Sequence, residues 1–106
     1  MQIRPPPHLS DRTIIRLRGD LAASKVPGIR RRLQRGLARA PNVLEVDLGK
    51  VTYLAPDVRG LLLAAAAFAR RSGMRFVISR ASPTSLRGLD ELGIQHLTDL
   101  PRPLRP

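Results

Sequence analysis

The chain of 106 residues has no cysteine and no tryptophan, only three aromatic residues, and 8 acidic side chains against 19 basic ones. Without cysteine there is no disulfide framework, no thiolate metal site and no cysteine nucleophile, so stability rests on packing. Tyr53, Phe68 and Phe76 are too few and too scattered to form a stacking platform for single-stranded nucleic acid. His8 and His96 lie far apart and outside any set of ligands at metal spacing, so no metal is expected. No serine stands in a G-x-S-x-G elbow, and Gly28, Gly36, Gly49, Gly60 and Gly73 form no phosphate-cradling loop. Neither a catalytic constellation nor a cofactor site is legible. The longest apolar run, Leu61 to Ala69, is well short of the ~20 residues that span a bilayer, and the N-terminal stretch lacks an apolar signal region. The cytoplasm is therefore the expected compartment, with any membrane association made through a partner.

What is present is an apolar fraction of 42%, enough for one core. Residues 1–10, with three consecutive prolines, read as an extension carrying an edge strand at Met1 to Arg4; residues 11–100 read as the domain, and 101–106 as a Pro/Arg tail. Thr13 to Arg18 alternates in the manner of a half-buried strand and is closed by Gly19. Ser24 is the expected N-cap of a helix with Pro27 in its first turn and Val26, Ile29, Leu33, Leu37 and Ala40 on one stripe, ended by Pro41-Asn42. Leu44, Val46 and Leu48 share one face of a second strand and Val43, Glu45 and Asp47 the other. A turn at Gly49-Lys50 and the segment Val51 to Leu54 then lead into a helix from Pro56 to Ser72, with Asp57 in its first turn and Gly73 after its end.

Leu61, Leu62, Ala65, Phe68 and Ala69 are the expected buried stripe of that helix, leaving Leu63, Ala64, Ala66 and Ala67 as a smooth, partly exposed apolar face. That face reads either as a dimer or partner interface or simply as alanine's helix preference. Arg75 to Ser79 is a third core strand, Ser82-Pro83 opens a third helix that Gly93 closes, and Ile94 to Leu100 adds a last turn or strand. Strands alternating with helices predict an α/β fold, a four- or five-stranded mixed sheet with about three covering helices.

The formal net charge is +11, and 17 of the 19 cations are arginine. Arg30, Arg31, Arg32, Arg35 and Arg39 cover much of one helix, which reads as a nucleic-acid face or, more simply, as a solvated one. Arginine in place of lysine reflects base composition more readily than function, so the charge alone names no partner.

Three segments together carry a family resemblance: Gly19-Asp20-Leu21 after the first strand, Val46 through Leu54 before the long helix, and Ser82-Pro83 before the last. In order and spacing they resemble the STAS domain of bacterial anti-sigma-factor antagonists, over roughly residues 11 to 99. In that family a hydroxyl residue at the start of the long helix is phosphorylated by a partner kinase; here the four matching positions read Ala55-Pro56-Asp57-Val58, and the phosphoacceptor position falls on Pro56.

The resemblance implies a partner-binding surface at Ala55, Pro56, Asp57, Val58, Arg59 and Gly60. Arg59 replaces a usually apolar residue, and its cation either pairs locally with Asp57 or meets a different partner. Asp57 reads either as a permanent mimic of the phosphorylated state or as compensation of the helix dipole. The implied function is a non-catalytic antagonist that binds an anti-sigma factor or serine-kinase-like protein, with a homodimer as a further form. An accessory STAS subunit of a membrane lipid or anion transporter is the alternative, ahead of a basic nucleic-acid-binding domain.

Overall fold

The computed structural model describes residues 11–81. In chain order these form β1 (Arg12–Leu21), α1 (Val26–Ala38), β2 (Val43–Leu54), α2 (Pro56–Arg71) and β3 (Arg75–Ser79), with a short 3-10 turn at Ala23–Lys25. The strands make one parallel sheet in the order β1-β2-β3. Parallel neighbours cannot be joined by a hairpin, so α1 and α2 serve as the crossovers. Both connections step the same way across the sheet, and with the usual right-handed crossover this puts both helices on one face. There α1 and α2 pack against each other.

Alternation along the strands then sorts the side chains. Ile15 and Leu17 of β1, Leu44, Val46 and Leu48 of β2, and Phe76 and Ile78 of β3 are buried on the helix side. From the helices, Ile29 and Leu33 of α1 and Val58, Leu62, Ala65, Ala66 and Ala69 of α2 complete a single core. Arg12, Ile14 and Arg16 of β1 lie on the opposite face, in register with Val43, Glu45 and Asp47 of β2, which in turn pair with Arg75, Val77 and Ser79.

The α/β class and the three core strands agree with the sequence. The described residues contain three strands and two helices, fewer than the four or five strands and three helices expected, and the three strands pair in parallel. The expected edge strand at Met1 to Arg4, the helix from Ser82 and the segment Ile94 to Leu100 lie outside the described residues.

Several local expectations are corrected. The first strand does not stop at Gly19 but passes through it at a φ of 79° and ends at Leu21. Gly49-Lys50 is not a turn, because β2 runs unbroken for 12 residues. Its register with β1 jumps between the Arg16–Asp47 and Arg18–Lys50 pairs, and again before the Asp20–Tyr53 pair, so β2 carries two extra residues as bulges. Ser24 does not cap α1; it sits in the 3-10 turn, and the N-cap is Lys25, with no side-chain cap. Ala40 is not on the helix stripe, because α1 ends at Ala38 with Arg39 as its C-cap and Ala40 lies beyond it, exposed, in the left-handed conformation common after a helix end, at a φ of 50°.

In α2 the burial pattern differs at three residues, of which Leu61 is only half-buried. Ala66 is buried and Phe68 is 45% exposed, since an alanine-rich helix has no single face marked by polarity. Its ends are as expected, with Pro56 in the first turn, Ser72 as C-cap and Gly73 left-handed at a φ of 80°.

Candidate functional site

The corner between β2 and α2 is built on a buried anchor. Ala55 is extended, its N–H donates to the carbonyl of Leu21 at 3.0 Å, and its own carbonyl accepts from the N–H groups of Val58 and Arg59. The last residue of β1 thereby fixes where α2 begins. Pro56 fits the first helical turn because it has no N–H to leave unpaired there.

The six residues singled out from sequence divide into anchors and surface. Ala55 and Val58 are buried, whereas Pro56, Asp57 and Gly60 are exposed. A Cβ built on Gly60 would meet nothing within 4 Å, so the surface beside it is open. Arg59 is half-buried and does not pair with Asp57. It folds back so that Nη1 donates to the carbonyl of Leu54 at 2.9 Å, while its Nε is buried without a partner. Asp57 stays in solvent near the positive end of the helix dipole.

Tyr53, 52% exposed, joins this surface together with Thr52, and sequence reasoning missed both. The second bulge in β2 breaks the alternation and turns two successive residues outward. The signal was present in the run Val51-Thr52-Tyr53-Leu54, whose apolar ends are three positions apart where a regular strand would space them by two.

A second surface lies between the helices. Leu33 and Leu37 of α1 and Leu61, Ala65 and Phe68 of α2 line an apolar groove of about 420 Å³, with Arg30 at its rim. Phe68, read from sequence as core, is therefore a groove wall.

The sheet face away from the helices carries the charge networks. Glu45 accepts from Arg12 Nε at 2.9 Å through one oxygen and from the Ser79 hydroxyl at 2.6 Å through the other. The Ser79 hydrogen bond does most to hold the Glu45 carboxyl below its ordinary value of 4.5; burial pushes the other way, Arg12 lowers it further, and the nearby Asp47 carboxylate opposes. A carboxyl depressed on folding contributes stability above its unfolded pKa and loses it as pH falls through the folded value. Glu45→Gln is accordingly expected to lower stability by about 1 kcal/mol at neutral pH, with wild type and variant converging only once the pH has fallen below the lowered folded-state pKa of Glu45. Denaturant titrations at a series of pH values measure this.

Among the described residues no three His, Cys, Asp or Glu side chains gather to hold a metal ion, and no helix is long and apolar enough to cross a membrane. A parallel three-stranded layer with both crossovers on one side, and a helix starting at an exposed corner, defines a small α/β module whose features are surfaces. The family model described as "Mlab, STAS domain" matches residues 7–101, and the chain belongs to this STAS family. No match was found among curated proteins.

Proposed function

We propose that this chain is a non-catalytic binding module that holds a protein partner through the β2–α2 corner without phosphoregulation. The observation that carries the reading is the corner itself: Tyr53, Pro56, Asp57 and Gly60 are exposed on a backbone locked by Ala55 and Val58. Pro56, at the position where the family resemblance puts a phosphoacceptor, has no hydroxyl. Asp57 supplies a permanent anion beside it.

The partner is an anti-sigma factor or serine-kinase-like protein, bound constitutively in the cytoplasm. A second reading, as accessory subunit of a membrane lipid or anion transporter, is favoured by the same proline, because a permanently assembled subunit needs no release step.

The test is capture of partners from a host lysate treated with nuclease, using wild type, Gly60→Gln and Asp57→Ala. Gly60→Gln adds helix propensity of about 0.5 to 1 kcal/mol, so the protein stays folded. It is nonetheless expected to lose the partner at least tenfold, because its side chain stands in the open surface. Recovery of an anti-sigma factor or kinase supports the first partner class, and recovery of transporter subunits the second. A partner retained by Gly60→Gln overturns the corner as the interface, and one held equally by Asp57→Ala removes any role for the aspartate as a phosphate mimic.

A further inference from the structure

The bulge in β2 organises a cleft that the corner does not use. Arg16 and Arg18 of β1, Arg32 of α1, Asp47 and Lys50 of β2, and Arg80 just after β3 line a space of about 430 Å³. Five cations thus surround one carboxylate. That carboxylate is already engaged: Asp47 Oδ1 accepts from the Gly49 N–H at 2.8 Å and lies 3.4 Å from Arg80 Nε, and Oδ2 lies 3.8 Å from Arg16 Nε. Asp47 neutralises one charge and sets two guanidinium groups at its flanks, which leaves the cleft with a large positive excess.

Arg80 is specifically placed. It adopts a φ of 61°, uncommon for a residue with a side chain, and its guanidinium lies across the backbone of Gly49 where a Cβ would overlap it. Glycine at the bulge therefore makes room for the arginine. Guanidinium groups fit phosphate oxygens in pairs, and a cleft of this size holds a ligand larger than one phosphate.

We infer that this cleft binds a phosphorylated small molecule, either free in solution or as the headgroup of an anionic lipid. This does not depend on the corner being a partner surface. Net charge alone predicts only diffuse, salt-sensitive attraction; a cleft arranged by Asp47 predicts dependence on particular residues.

The test uses the full chain at low ionic strength, with calorimetry against inorganic pyrophosphate and co-sedimentation with phosphatidylglycerol or phosphatidylcholine vesicles. Arg18→Gln and Arg80→Gln are each expected to weaken binding roughly tenfold, Gly49→Ala to weaken it by displacing Arg80, and Arg70→Gln, outside the cleft, to leave it unchanged. Asp47→Asn adds a positive charge yet is expected to weaken binding, because Arg16 and Arg80 lose their common anchor. Pyrophosphate binding with this pattern assigns a soluble ligand, and the same pattern with phosphatidylglycerol vesicles alone assigns a headgroup. No binding to either probe, equal loss with Arg70→Gln, or tighter binding by Asp47→Asn overturns the inference.

Discussion

Leu62→Ala is expected to lower the free energy of unfolding by about 3 kcal/mol, a large share of the 5 to 15 kcal/mol typical of a domain. Leu62 is fully buried in the single core, and truncation removes the transfer free energy of its methyl groups while leaving a cavity that the rigid sheet beneath cannot fill. Its neighbour Leu61 is only half-buried, at the wall of the groove between α1 and α2. Leu61→Ala is therefore expected to cost about 1 kcal/mol. Urea unfolding compares the two at constant slope. A larger loss for Leu61 than for Leu62 would show that α2 presents a different face to the sheet.

Gly36→Val is expected to cost 2 to 3 kcal/mol by the reverse mechanism, overpacking, for which ~1 to 3 kcal/mol is the usual range. Gly36 is buried where α1 meets the sheet, and a Cβ there would stand 2.9 Å from Ile15 Cδ1 and 3.1 Å from Leu44 Cδ1. Alanine would recover up to about 1 kcal/mol of helix propensity, which offsets much of the repacking of those two methyl ends. Valine adds two further methyl groups and a single favoured rotamer, so α1 itself has to move outward. Thermal unfolding of the two variants checks this, and a Gly36→Val protein as stable as Gly36→Ala would mean that α1 does not approach the sheet so closely.

Much of the fold was legible because the middle of β1 and the first half of β2 alternate cleanly. Leu44, Val46 and Leu48 against Val43, Glu45 and Asp47 assign both faces of β2 from spacing alone, and Pro56 and Gly73 mark the two ends of α2. What misled was glycine and alanine. Gly49 in a strand reads as a turn, yet its lack of a side chain serves the bulge and the Arg80 guanidinium that covers it.

The alanine run of α2 offers no polar residue to orient it, so helical spacing from Leu61 and Leu62 puts Phe68 on the buried stripe although it is exposed. Of the corner, Pro56, Asp57 and Gly60 were legible, but Val58 proved to be an anchor and Tyr53 a surface residue. The arginine cleft was invisible from sequence because Arg16, Asp47 and Arg80 meet only through the register of three strands.

The position of β2 between its two neighbours bears on the rate at which the sheet assembles. Val43 pairs with Arg12 on one side and with Arg75 on the other, so each pairing closes a single crossover of about 30 residues. No hydrogen-bonded pairing between described strands skips over an intervening one, as it would in a sheet whose spatial and chain orders differ. Loop-closure entropy is then met in two similar instalments, one for each crossover. Such a chain reaches its sheet progressively, with the long central strand serving as the seam for both halves.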